Sequence, residues 1–277
     1  MGRKIFSILN LLSIIVLIAW NGYANTGNFN GKTVGDLSAE YNNLFTPASY
    51  AFSIWGVIFI SLLVFGVYGV YSAFAKASTA LPEGGIPNYR KDFVLTTSPW
   101  FLIANIFCTV WVAFWLEEMI GLSVFCMFGI LLSLFMCINK LDMEIWDAPF
   151  PIIAFVWWPL CLYSGWISVA SIANVSAWLN GSFQIDFDIQ LYSTIAMIVV
   201  AFCVNLLMII YRNMREFALV GVWALVAIFV RHLNEYNSIA YTALVLGVLL
   251  FVAAGIHGSH NKDTHPAKKF KQWRAAQ

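Results

Sequence analysis

Charge is scarce in this sequence. Only 10% of its 277 residues are Asp, Glu, Lys or Arg, while 61% are hydrophobic. A water-soluble domain carries about 25% charged and 45–50% apolar residues. So few charges cannot cover a water-facing surface, but lipid tails solvate apolar side chains well. The net charge is +1, so the chain lacks the basic field of a nucleic-acid binder. Cysteine is also scarce. Cys108, Cys126, Cys137, Cys161 and Cys203 all lie in long apolar stretches and none forms a CxxC pair. They read as small buried hydrophobes, not as a disulfide framework or zinc site. There is no P-loop, HExxH, GxSxG or GxGxxG before a soluble βαβ unit. His257, His260 and His265 crowd one end without the spacing of a helical metal face. No catalytic residue and no metal site is expected, and enzymatic activity is not the expected function.

What the sequence has is long apolar runs. Eight segments of roughly 20 mostly apolar residues can cross the hydrocarbon as helices. They are 5–24, 49–74, 98–116, 119–139, 150–175, 189–211, 214–231 and 238–258. Runs such as Leu11 to Ile18 do not alternate, which argues against a β-barrel. Arg3 and Lys4 before the first run could also begin a signal peptide, but the run is long and lacks a small-x-small site, so a retained helix is the better reading. An all-α integral membrane bundle of about eight helices follows. With eight spans, thirteen of the fifteen Lys and Arg residues fall on the side of the termini and two, Lys32 and Arg231, on the other. That asymmetry predicts both termini in the cytoplasm, in a plasma membrane of bacterial type. The residues after 259 form a basic tail, with Lys268, Lys269, Lys271 and Arg274 near Phe270 and Trp273.

Twelve tryptophans are present. Interfacial placement suits Trp20, Trp100, Trp146 and Trp178. Trp55, Trp111, Trp115 and Trp166 fall deeper in their spans, where an indole N–H wants an acceptor. They are expected to face the interior, either packing helix on helix or walling a flat apolar ligand. Asn21, Asn105, Asn174 and Asn205 lie in or near spans, as glue between helices or as ligand contacts. Glu117, Glu118, Arg231, His232 and Glu235 are expected at span ends.

Two stretches carry a family pattern. Phe45-Thr46-Pro47 through Trp55-Gly56-Val57-Ile58-Phe59 resembles the second-helix entry of the tryptophan-rich sensory protein family, also called the translocator protein or peripheral benzodiazepine receptor family. Here Phe45 replaces an entry Trp and Gly56 replaces a Thr. Tyr163, Trp166, Ala170, Asn174 and Trp178 resemble that family's Tyr-x-x-Trp-x3-Ala-x3-Asn-x3-Trp helix, and their steps of three or four place them on one helical stripe. In the third span, Cys108 takes the place of the family's Asn three residues before Trp111, with Asn105 one turn earlier. The resemblance covers about residues 5–180.

The resemblance implies a five-helix unit over 1–180, a three-helix extension over 181–259 and a basic cytoplasmic tail over 260–277. It implies a membrane-embedded binding protein or sensor for a flat hydrophobic ligand, a tetrapyrrole such as porphyrin or haem, or a sterol-like lipid. Transport of a hydrophobic or amphipathic solute, and photodegradation of tetrapyrroles, are the alternatives. The implied ligand-binding residues are Tyr50, Trp55, Phe59, Asn105, Trp111, Tyr163, Trp166, Ala170 and Asn174. The loop 25–47 would lid the pocket, with Lys32 near its mouth as a partner for propionates. No cofactor is required beyond such a bound porphyrin or haem. The expected partners are that small molecule, the bilayer and a second copy in a homodimer, with no nucleic acid.

Overall fold

The computed structural model describes residues 1–41, 43–75, 92–183, 185–261 and 266–275. Lys76, Arg90, Lys91, Lys262 and His265 lie outside them. The described residues contain helices and no strand. The first helix, α1 (Gly2–Ala24), leads into a short α2 (Val34–Glu40). A 3-10 turn, Ser49–Ser53, opens α3 (Ile54–Phe74). Then follow α4 (Phe93–Leu116), α5 (Ile120–Lys140) and α6 (Phe150–Phe183). The chain continues as α7 (Phe187–Arg212), α8 (Arg215–His232), α9 (Asn237–His260) and α10 (Pro266–Ala275).

Among the described residues, seven helices are long and apolar enough to cross a membrane: α1, α3 with its 3-10 turn, α4, α5, α6, α7 and α9. The protein is thus an all-α, multi-pass membrane bundle. The sequence places an eighth crossing at 214–231. That segment is helical, but α8 has only 18 residues and carries Arg215, Glu216 and Arg231. At 1.5 Å per residue it is about 27 Å long. It is sheltered by α6, α7 and α9, so charges at its ends can coexist with an apolar middle. Asn213, at φ 55°, reverses the chain between α7 and α8: its N–H donates to the Ile209 carbonyl at 3.0 Å and the Met214 N–H to the Met208 carbonyl at 3.1 Å, a left-handed helix cap. A turn this short makes the two helices antiparallel neighbours.

Two elements were not foreseen. Helix α2 has a reciprocal cap: Asp36 N–H donates to Thr33 Oγ1 (3.1 Å) and Thr33 N–H to Asp36 Oδ2 (3.0 Å). The Thr-x-x-Asp spacing was its signal. Helix α10 has Pro266 at its start, a favoured first position. Inside α6 a π-turn covers Ile153–Trp157, just before Pro159. Proline has no N–H for the i−4 bond and its ring crowds that carbonyl, and a wider turn relieves both.

Helices α1, α3, α4, α5 and α6 pack around one interior, while α7, α8 and α9 form a second layer that meets it chiefly where α8 lies on α6. Small residues set that approach. A Cβ on Gly165 would sit 2.9 Å from the Phe217 carbonyl oxygen and 3.3 Å from the Phe217 Cα. Neither atom can rotate away. Gly165→Ala should therefore cost about 1–3 kcal/mol by overpacking, read as a lower unfolding temperature in detergent. An unchanged temperature would mean that α8 is not held against α6.

The polar residues within the spans split two ways. Asn105 donates to Ser13 Oγ (2.8 Å) and Asn10 to Ser98 Oγ (3.0 Å), joining α1 to α4. Asn21 and Asn205 instead bond carbonyls one turn back in their own helices. Cys108, Cys126, Cys137 and Cys161 are buried, but Cys203 is exposed. The reading of all five as buried is corrected there, because Cys203 lies on the outward side of α7, where apolar character says nothing about burial.

Candidate functional site

The deep tryptophans converge. Trp111 and Trp115, one turn apart on α4, stack with centroids 6.0 Å apart and planes at 19°. Trp166 on α6 meets Phe52 edge to face at 6.0 Å. Trp55 stacks on Phe59 at 5.2 Å and meets Tyr163 edge to face at 6.2 Å. Between α3, α4 and α6 a cleft is lined by Phe52, Trp55, Trp111, Trp115 and Trp166, with Ala170, Ala173 and Asn174 along the α6 wall. Val34, Ser38, Asn43, Thr46 and Pro47 close one end, so part of the α1–α3 connection lies over it. The cleft is narrow, about 40 Å³.

Of the residues singled out in the sequence, Trp55, Trp111, Trp166, Ala170 and Asn174 line this cleft. The other four do not. Tyr50 packs edge-on against Trp223 at 5.3 Å. Phe59 lies behind Trp55, and Tyr163 is fully buried behind the same ring. Asn105 turns to α1. For Asn105 the reason is helical phase: it stands six residues from Trp111, about 120° round the helix. Phe52 and Ala173 were missed, while Trp115, expected to face the interior but left out of the ligand-binding set, lines the cleft as well. Trp115 repeats Trp111 at i+4 and Ala173 follows Ala170 at i+3, so spacing held the signal for both.

Asn174 is a junction. Its Oδ1 accepts the Trp111 indole N–H at 2.7 Å, and its Nδ2 donates to Ser123 Oγ at 2.8 Å. One amide thereby ties α4, α5 and α6 together and fixes the Trp111 ring at the cleft wall. The Trp115 N–H reaches the Val34 carbonyl at 3.3 Å, attaching the covering segment. Helix α8 holds that segment from the other side. The Arg231 guanidinium donates to the Thr46 carbonyl (2.7 Å), and His232 Nε2 lies 2.8 Å from the Leu44 carbonyl oxygen. Ala48 N–H donates to the Ala227 carbonyl (3.1 Å), and the Trp223 indole to the Ala51 carbonyl (3.1 Å). Lys32 is engaged by Glu40 (2.5 Å) and Glu118 (3.4 Å), not directed to the cleft.

A second polar cluster lies elsewhere. Glu144 in the α5–α6 connection, Cys161 on α6 and Glu216 on α8 bring their donor atoms within 4.8 Å of one another. This set could hold a metal ion, and its three members come from segments too far apart for spacing to have revealed it. Burial, and then the neighbouring Glu216, pushes the Glu144 carboxyl up to about 8, with Arg215 opposing. A carboxyl raised in the fold keeps its proton after the unfolded chain has lost it. Stability is therefore lost as pH rises from the ordinary 4.5 towards 8. Glu144→Gln should flatten that decline in chelator-treated protein and stabilise it at pH 8 by on the order of 2–4 kcal/mol. Parallel pH profiles of unfolding temperature for the two proteins would contradict this.

Comparison with known proteins agrees with the geometry. A family model described as TSPO-like protein matches residues 7–256. The match runs through α7 and α8 and into α9, beyond the stretch that carries the tryptophan motifs. No curated protein and no solved structure matches the chain. Because the family model spans most of the chain, from α1 into α9, the chain belongs to the TSPO-like family.

Proposed function

We propose that this protein is a membrane-embedded binding protein or sensor whose ligand is a flat hydrophobic molecule of tetrapyrrole type, porphyrin or haem, held between the indoles of Trp55 and Trp166. Family membership supports the coarser reading of a membrane ligand-binding or sensor protein. The single observation that carries the finer one is the cleft itself, in which four indoles from three helices meet beside the small side chains of Ala170 and Ala173. A macrocycle gains there from apolar burial and from stacking on ring faces. Ligand pockets usually measure 300–1,000 Å³, far above the 40 Å³ of this cleft. On this reading the cleft is closed here, and binding requires the covering segment 43–53 to move. The hydrogen bonds from α8 to Leu44, Thr46 and Ala51 are what must stretch. With thirteen cations on the side of the termini, that segment faces away from the cytoplasm in a plasma membrane.

Titration of the detergent-purified protein with protoporphyrin, followed by Soret absorbance and tryptophan quenching, tests the reading. A saturable 1:1 isotherm with slow association is expected. Linear, non-saturating quenching equal to that of empty micelles would overturn it. Counterflow in proteoliposomes separates binding from transport.

A further inference from the structure

The segment that covers the tryptophan cleft is fastened to α8, and one of its fasteners is ionisable. The Ala48–Ala227, Trp223–Ala51 and Arg231–Thr46 bonds use a backbone amide, an indole and a guanidinium as donors. None of these changes its charge between about pH 5 and pH 8. His232, which meets the Leu44 carbonyl, is the exception, because an imidazole titrates in that range. It stands at the end of α8, outside the seven crossing helices, and is only 2% exposed.

The geometry assigns the tautomer. A carbonyl oxygen only accepts, so Nε2, at 2.8 Å from the Leu44 oxygen, carries the hydrogen. Nδ1 then holds a lone pair. It is buried, and among the described residues it has no hydrogen-bond partner. A second proton would have to sit on this atom. It would create an N–H without an acceptor and a charge without water, and both are costly. The charged neighbours do not settle the matter, since Arg231 disfavours the cation and Glu235 favours it. The Tyr236 ring lies 5.5 Å from the imidazole, and Phe187, between Asp186 and Asp188, lies 5.5 Å from Tyr236 in turn. In residues 43–53 the one titratable side chain is Tyr50, which packs on Trp223, and α6 carries no charged residue. Burial holds the His232 pKa below the ordinary 6.5, with the Leu44 carbonyl and Glu235 opposing and Arg231 reinforcing.

We propose that His232 is a proton-operated latch on the covering segment: neutral, it holds residues 43–53 shut over the cleft, and protonated, it lets them swing away. The inference takes from the proposed function only that this segment is the moving part, and no ligand enters it. When the segment opens, Nδ1 reaches water, where the cation is stable. The open form therefore binds the proton more tightly than the closed form. Closure is at full strength above about pH 6.5, the value of a solvated imidazole, and is lost as pH falls below it. One proton changes the balance by at most about tenfold per pH unit. The Arg231–Thr46 bond is indifferent to this range, so acid alters how often the segment opens and does not detach it.

Hydrogen–deuterium exchange of the full-length, ligand-free protein tests this, with labelling times scaled for the intrinsic pH dependence of exchange. Residues 43–53 should open about tenfold more often at about pH 5.5 than at about pH 7.5, while peptides from α5 keep their protection. His232→Gln retains an N–H donor for the Leu44 carbonyl but cannot take up a proton. Its covering segment should exchange at one corrected rate at both pH values. His257→Gln, in the last turn of α9, should behave as the parent. If His232→Gln does not fold, the parent profile still decides, because one proton per opening, setting in at about pH 6.5, is the signature of an imidazole. Equal opening at both pH values in the parent would overturn the proposal. So would the same acid rise in His232→Gln, or a rise confined to below about pH 5, where carboxylates titrate. Failure to bind protoporphyrin would count against the proposed ligand and leave this result standing.

Discussion

Protoporphyrin should bind the Trp55→Ala, Trp166→Ala double variant about a hundredfold more weakly than the unaltered protein, roughly 3 kcal/mol. Each indole contributes apolar area and a ring face to the cleft, and stacking adds about 0.5–1.5 kcal/mol per aromatic pair beyond burial. Trp166 is nearly fully buried, with its edge on Phe52, whereas Trp55 is partly open and stacked on Phe59. The two therefore play different parts. Trp55 can swing with the covering segment, while Trp166 belongs to the fixed wall. Trp166→Phe retains a ring and should recover about half of the lost free energy. Trp20→Phe is the control, since Trp20 bonds the Thr109 carbonyl at 2.9 Å, away from the cleft. Affinity is read from the Soret band, which does not depend on the tryptophans that were removed. A double variant within twofold of the parent would show that the indoles do not hold the ring.

Much of the fold was legible in the sequence because lipid simplifies the problem. A segment such as 119–139 must be a helix if it crosses hydrocarbon, and α5 occupies Ile120–Lys140. What composition could not decide is which way an apolar side chain faces, since lipid and protein interior are equally apolar. Cys203 and Tyr50 show the consequence, as both point outward. At 214–231 the sequence reading of a span meets the helix α8, whose charged ends are sheltered by α6, α7 and α9. The site was legible where a stripe lay on one helix, as with Trp166, Ala170 and Asn174. It was illegible where it depended on contacts between distant segments. The loop 25–47 was expected to lid the pocket, but its anchoring from α8 by Arg231 and His232 is of that kind.

Asn174 was open to two readings, glue between helices or contact to a ligand, and the geometry makes these separable. Its amide is committed on both sides, to Trp111 and to Ser123, yet it lines the cleft. Asn174→Leu keeps the branched heavy-atom shape and removes both hydrogen bonds, leaving a buried indole N–H and a buried hydroxyl to find other partners. The loss should be about 1–3 kcal/mol, seen as a fall in unfolding temperature in the absence of any ligand. The expectation sharpens in a double-mutant cycle with Trp111→Phe, which deletes the donor. If the junction is real, the two losses are not additive, and a coupling of about 1 kcal/mol remains. Additive losses would break the junction apart. A variant as stable as the parent, but unable to bind protoporphyrin, would instead make Asn174 a ligand contact whose bonds in the closed form are incidental. Between those outcomes lies the mechanism suggested by the closed cleft. If the Trp111 ring is released from Asn174 when the ligand enters, Asn174→Leu should speed association even as it weakens the fold, because the ring no longer has a bond to break.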